Sequence, residues 1–182
     1  MKELSLNILD IVQNSIRAKA QSINIVIEES VKKNSIIIII TDDGQGISEE
    51  MLPDVTDGFV TSRTKRKVGL GLPFLRQHAE GTGGWLKIRS HEGAGTRVEA
   101  SFILDHIDRQ PMGDIAGVIK ILMMTNPDIE FRYKHSTDSG EFTVDTREIK
   151  ETFEVNSLND NNLMKDVKSM MVENLRSIEV TE

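Results

Sequence analysis

This sequence predicts an α+β fold, and three observations carry the prediction. Five consecutive isoleucines, Ile36 to Ile40, read as a strand inside a sheet. Apolar residues at helical spacing fill Glu3 to Ala20 and again Leu70 to Glu80, and two alternating runs, Trp85 to Ser90 and Thr96 to Leu104, supply further strands. The resulting order is helix, two strands, loop, helix, two strands.

The first helix rests on Leu4, Ile8, Leu9, Ile11, Val12 and Ile16, with Ser5 as a start signal. Asp10 and Asn14 stand one turn apart, so both side chains leave the same face, with Asn7 and Arg17 beside them. Gln21 to Glu28 reads as a strand through Ile23, Ile25 and Ile27, and a polar turn at Lys32-Lys33-Asn34-Ser35 follows. Ser35 to Thr41 is apolar on both faces, the pattern of a mid-sheet strand covered on both sides. Asp42 comes next, where the chain leaves the sheet.

Ser48-Glu49-Glu50-Met51 reads as a short capped helix. Pro53 to Val68 has no periodic pattern, and loops of that length carry function or are disordered. The next helix runs through Leu72, Phe74, Leu75 and Ala79 and stops at Gly83-Gly84, and Glu92-Gly93-Ala94-Gly95 turns a hairpin between the two strands after it.

Beyond Asp105 the pattern changes, which divides the chain into a unit at 1–104 and an extension at 105–182. Met112 to Met124 is a helix ended by Asn126-Pro127. Ile129, Phe131 and Tyr133 alternate, as do Phe142 and Val144, around a turn at Ser136 to Gly140, so a second hairpin follows. Leu163, Val167, Met170, Met171, Asn174, Leu175 and Ile178 mark a terminal helix. Its methionines read as packing residues, with a partner surface as the alternative.

Composition narrows the function. With 182 residues the chain buries a core without staples, and with no cysteine it holds no disulfide and no thiolate metal site. A net charge of −7 repels phosphate backbones and argues against a nucleic-acid binder. The longest purely apolar run is Ile36 to Ile40, too short to span a membrane, so a cytoplasmic protein is expected. One basic patch stands out: Arg63, Lys65, Arg66 and Lys67 crowd the loop just before Gly69-Leu70-Gly71-Leu72. It is either a solvated basic loop or a phosphate-binding one.

Three segments in order describe an ATP pocket: Asp10 to Asn14, Asp42-Asp43-Gly44-Gln45-Gly46-Ile47, and Gly69 to Leu72. Asn14 offers a neutral amide oxygen suited to a magnesium ion that also touches substrate phosphates. Asp10, one turn earlier, is placed to act as a general base toward the terminal phosphate. The alternative is that both satisfy buried polar groups between helix and sheet. Asp42 suits the exocyclic amine of adenine, whereas guanine would oppose it with another acceptor. Gly44 and Gly46 remove side chains where a flat base approaches the backbone, although Asp-Gly is also a common turn pair. Gly69 and Gly71 let backbone amides at a helix start close on phosphates, their alternative being close helix packing. Lys65, Arg66 and Lys67 would then neutralise phosphate oxygens as the loop folds over.

These residues resemble the GHKL superfamily of gyrase, Hsp90, histidine-kinase and MutL-type ATPases. Asp10 to Asn14 is similar to that family's N box, Asp42 to Gly46 to its first glycine box, Phe59 to Ser62 loosely to its lid, Gly69 to Leu72 to its second glycine box and Gly93 to Thr96 to a third. The resemblance covers residues 1 to about 104. It implies the Bergerat fold, a two-layer α/β sandwich whose mixed sheet has its helices on one face. It also implies an ATP and Mg2+ site that includes Ile47, Thr61, Arg63, Leu70 and Thr96. The opening segment and the lid resemble, more narrowly, small stand-alone histidine-kinase-like ATPase proteins of anaerobic bacteria, often encoded beside iron hydrogenase genes.

One departure matters. Many histidine kinases of the superfamily carry asparagine where Asp10 stands, and its ATPases and serine-directed kinases carry glutamate, one methylene longer. An acid at this position argues for activating a water or hydroxyl, which a histidine nucleophile does not need. The leading expectation is an ATP-binding regulatory protein that hydrolyses ATP slowly or phosphorylates a partner protein on serine or threonine. The alternatives are a non-catalytic ATP/ADP-sensing module and a detached histidine-kinase catalytic domain. The extension is expected to extend or flank the sheet and to supply a homodimer or partner surface through Met112 to Met124 or Leu163 to Ile178.

Overall fold

The computed structural model describes residues 3–52 and 71–181. Helix α1 (Leu4–Arg17) leads into the antiparallel pair β1 (Ser22–Ser30) and β2 (Ser35–Asp42). Helix α2 (Gly71–Gly81) precedes the hairpin β3 (Trp85–His91) and β4 (Gly95–Ile103). Then come α3 (Ile115–Thr125), the hairpin β5 (Glu130–Ser136) and β6 (Glu141–Asp145), a short α4 (Thr146–Thr152) and α5 (Asn161–Ser177). Helix α4 has no apolar stripe that its sequence announces. It starts because the Asp145 side chain accepts the Arg147 N–H, an N-cap in the middle of what reads as plain loop.

All six strands form one sheet in the order β3-β4-β2-β1-β5-β6. Every neighbouring pair is antiparallel except β1 and β5, so the sheet is mixed. The extension thus lengthens the sheet, and its apolar residues join the same core as those of the first 104. Strand alternation sends Ile23, Ile25, Ile27, Ile36, Ile38, Ile40, Val98, Ala100, Phe102, Phe131 and Tyr133 to one face, where the helices cover them.

Strand β2 is central, as its isoleucines predict, but it is covered on one side only. Ile36, Ile38 and Ile40 are buried, while Ile37 and Ile39 lie half-exposed on the opposite face. The reason is architectural: β5 and β6 continue alongside the sheet, and the described helices pack on a single face.

Helices α3 and α5 pack on each other over this core. Met164 and Met171 are fully buried, which makes them packing residues, and Met170 alone of the α5 methionines points outward. Most of the apolar residues expected to offer a partner surface, Ile115, Ile119, Leu122, Met123 and Val167 among them, are therefore buried within the chain.

One polar relay runs through this core. Tyr133 Oη and His135 Nδ1 lie 2.6 Å apart, His135 Nε2 and Glu29 Oε1 2.9 Å apart, and the other Glu29 oxygen accepts from the Thr181 N–H at 2.9 Å and hydroxyl at 2.6 Å. With Tyr133 donating to Nδ1, Nε2 carries the imidazole hydrogen toward the carboxylate. Burial alone would raise the Glu29 pKa, but the hydrogen bonds from His135 and Thr181 outweigh it and hold the carboxyl below its ordinary value. The relay fastens the end of the chain to β1. Among the described residues no helix is long and apolar enough to cross a membrane.

Candidate functional site

The site is built outward from Asp42, the last residue of β2, which alternation places on the helix-covered face at 8% exposure. Three donors meet its carboxylate. Ser15 Oγ of α1 donates to Oδ2 at 2.6 Å, while the N–H groups of Gly44 and Thr96 donate to Oδ1 at 2.9 and 3.3 Å. An ionised carboxylate has about four lone-pair sites. Three are engaged, and the one left over belongs to Oδ2.

The Ser15 bond fixes where α1 lies. Asn14 is the preceding residue and Asp10 lies one turn earlier, and both are half-exposed on a helix whose other face is buried. The Asn14 Oδ1 accepts weakly from Arg17 Nη1 at 3.3 Å. Asp10 reaches the start of α2: a Cβ added at Gly71 would overlap the Asp10 carboxylate, so glycine there lets Asp10 keep this position. The first helix, the Asp42 turn and the N-terminal turn of α2 therefore meet in one place.

The β3–β4 hairpin holds that place rigid. The Gly93 N–H donates to the Gln45 carbonyl at 2.7 Å, and the Ile47 N–H donates to Ser90 Oγ at 2.8 Å. Ser90 Oγ donates in turn to the Gly95 carbonyl at 2.9 Å and lies 2.8 Å from Thr96 Oγ1, which supplies the remaining hydrogen. Gly46 has φ +69° and Gly95 φ +91°, and a Cβ on either would strike backbone, the His91 carbonyl in one case and the Asp42 carbonyl in the other. Glycine is required at both because the two turns are in contact.

Among the residues expected from sequence, Asp10, Asn14, Asp42, Gly44, Gly46, Ile47, Gly71 and Thr96 are gathered here. Gly44 faces the end of α1, where a Cβ would come within 2.8 Å of the Ala18 carbonyl oxygen. Leu72 is buried at 6% exposure in the core. Thr61, Arg63, Lys65, Arg66, Lys67, Gly69 and Leu70 lie outside the described residues. Sequence reading missed Ser15 and Ser90. Both had a signal: each is a hydroxyl at an inward position, Ser15 on the stripe of Ile8, Ile11 and Val12, and Ser90 after Leu86 and Ile88.

A mixed sheet with helices on one face and a buried carboxylate at the end of a central strand fits a nucleotide-binding ATPase-type domain, and the family match below establishes that class. The comparisons with known proteins agree. A family profile described as "Histidine kinase-, DNA gyrase B-, and HSP90-like ATPase" matches residues 2–106, and the chain belongs to that family. A putative NtrY-like sensor histidine kinase of Rickettsia conorii is 29% identical over 108 residues, 59% of this chain and 18% of its own length. The sensor protein KdpD of Clostridium acetobutylicum is 35% identical over 89 residues, 46% of this chain and 10% of its own. The CAI-1 autoinducer sensor kinase/phosphatase CqsS of Vibrio cholerae is 37% identical over 81 residues, 44% of this chain and 12% of its own. The chain thus spans less than a fifth of the length of these curated relatives.

The fold itself is shared with solved structures. The MutL ATPase domain of Aquifex aeolicus, complexed with ADP, superposes with a TM-score of 0.52 at 17% identity, covering 85% of this chain and 70% of that one. The N-terminal domain of a DNA repair protein superposes with a TM-score of 0.57 at 17% identity, covering 84% of this chain and 57% of that one.

Proposed function

We propose that this ATPase-family domain is a cytoplasmic regulatory enzyme that transfers the terminal phosphate of ATP to a hydroxyl of a partner protein or, slowly, to water. The observation that carries the reading is Asp10: an acid one turn from Asn14, against Gly71, the residue of the second glycine box at which α2 begins. The open Oδ2 position on Asp42 fits the adenine amine. Asn14 would hold a magnesium ion, which supplies charge neutralisation at the phosphates. By sequence position, Gly69, Leu70 and Gly71 would offer backbone amides to the phosphates, and Thr61, Arg63, Lys65, Arg66 and Lys67 would cover them. Asp10 would accept the proton of the attacking hydroxyl.

A second reading is favoured by the relatives, which are named as sensor histidine kinases: the chain acts as a detached catalytic domain on a histidine of another protein. One variant separates these readings. Asp10→Asn should lower turnover by about 100-fold or more while ATP affinity by calorimetry stays within about threefold. Undiminished turnover removes Asp10 as the base and favours transfer to histidine, which an acid-labile phosphorylated product would establish.

A further inference from the structure

The face of the sheet turned away from the helices carries a pattern that the nucleotide site does not use. Register aligns its side chains in three rows. One row runs Trp85, Ser101, Ile37, Glu28, Ser136, Glu141; the next Lys87, Glu99, Ile39, Val26, Lys134, Thr143; the last Arg89, Arg97, Thr41, Asn24, Arg132, Asp145. Ile37, Ile39 and Val26 are half-exposed and adjoin as an apolar patch on the two central strands, with the half-exposed Trp85 at the β3 edge beyond Ser101. Five cations flank the patch in a chain of net charge −7.

The charge is unevenly balanced. Arg97 pairs with Glu99 at 2.6 Å and Lys134 with Glu141 at 2.7 Å, and Lys87 Nζ stands 4.3 Å above the Trp85 ring. Arg89 and Arg132 are exposed and make no ion pair among the described residues. Arg89 also lies directly opposite Arg97 across β3 and β4, a like-charge cross-strand pair that the Glu99 bond to Arg97 offsets on one side only.

We propose that this face docks an acidic, apolar-bearing segment of a protein partner. A patch of half-buried apolar side chains flanked by Arg89 and Arg132, which make no ion pair among the described residues, is complementary to a peptide that interleaves apolar residues with aspartate or glutamate. A nucleic acid is disfavoured, because its regularly spaced phosphates would meet Glu28, Glu99, Glu141 and Asp145, whereas a peptide can set a few carboxylates beside Arg89 and Arg132 alone. An anionic bilayer is disfavoured as well, since the same carboxylates would meet its headgroups and Ile37 and Ile39 are only half-exposed. The inference is independent of what the nucleotide site does, since none of these residues has been placed in it.

Selection from a random peptide-display library on the full chain, with an Arg89→Glu/Arg132→Glu variant as the counter-target, tests it. The wild type should enrich peptides that mix Asp or Glu with apolar residues. A synthetic peptide of the enriched sequence should bind more weakly as salt rises, and about tenfold or more weakly to the charge-reversed variant and to Ile39→Ser. ATP affinity unchanged in both variants shows that they fold; should the charge reversal not fold, Arg89→Gln/Arg132→Gln replaces it. No enrichment over the variant, or enrichment without acidic residues, overturns the proposal. So does tighter binding to a single-stranded DNA oligonucleotide or to phosphatidylserine vesicles than to the selected peptide.

Discussion

Asparagine at position 42 should weaken ATP binding about 10- to 150-fold, and the structure says why the fold survives the change. In the wild-type site Oδ1 takes two backbone N–H groups and Oδ2 takes the Ser15 hydroxyl. In Asp42→Asn the two N–H groups claim the single amide oxygen, so the amide nitrogen must occupy the Oδ2 position. The Ser15 hydroxyl then rotates to accept, which keeps the local network paired and limits the stability loss to about 1 kcal/mol. The free lone pair on Oδ2, however, becomes an N–H aimed at the adenine amine. A hydrogen bond to a charged group is worth about 1.5 to 3 kcal/mol, hence the loss expected. GTP should gain relative to ATP, because a donor now faces the side of the base where guanine carries an oxygen. Calorimetric titration with both nucleotides, beside a denaturant melt, reads all three quantities. An ATP affinity within twofold of wild type would refute the assignment of Asp42 to the base.

Other perturbations separate site from scaffold. Gly95→Ala combines positive φ with overlap on the Asp42 carbonyl and should cost about 2 to 5 kcal/mol of stability along with ATP affinity. Gly93→Ala, also at positive φ (+78°) but with open space around its Cβ, should cost only about 1 to 2 kcal/mol; equal losses in denaturant melts would contradict the geometry. Asn14→Ala should abolish the magnesium dependence of ATP binding while leaving metal-free binding nearly unchanged, measured with and without a chelator. Glu29→Gln should destabilise by about 1 to 3 kcal/mol at neutral pH. Because the folded Glu29 pKa lies below its ordinary 4.5, that contribution is complete above 4.5 and is lost as pH falls through the folded value. Melts of wild type and variant should therefore converge only in acid, and a gap that persists at low pH would deny the carboxylate its part.

What the sequence disclosed was governed by periodicity. The isoleucines of β2, the stripe of α1 and the hairpin at Gly93 and Gly95 are local patterns, and each reads from its own segment. Pairing between distant segments is not local: that β5 adds beside β1 in parallel, leaving Ile37 and Ile39 on an open face, depends on where the extension returns. The same limit applied inside the site. Asp10, Asn14 and Asp42 announce themselves as polar residues in apolar surroundings, but the Ser15 bond to Asp42 spans 27 residues of chain, and serine is common enough to pass unnoticed. Glycines revealed their need for freedom but not its cause, which at Gly95 is the backbone of Asp42 and at Gly46 the backbone of His91. Helix α4 went unseen because one N-cap starts it and no stripe sustains it.

Backbone amide spectra recorded while magnesium and a non-hydrolysable ATP analogue are titrated in give the most direct test of the central claim, that α1 and the turn after β2 form one nucleotide site. The largest shifts should fall together on Asp10 to Ala18, Asp42 to Ile47 and Gly93 to Thr96, with one common binding curve. Shifts confined to one of these segments, differing midpoints among them, or saturation of resonances elsewhere with these three unmoved would contradict it.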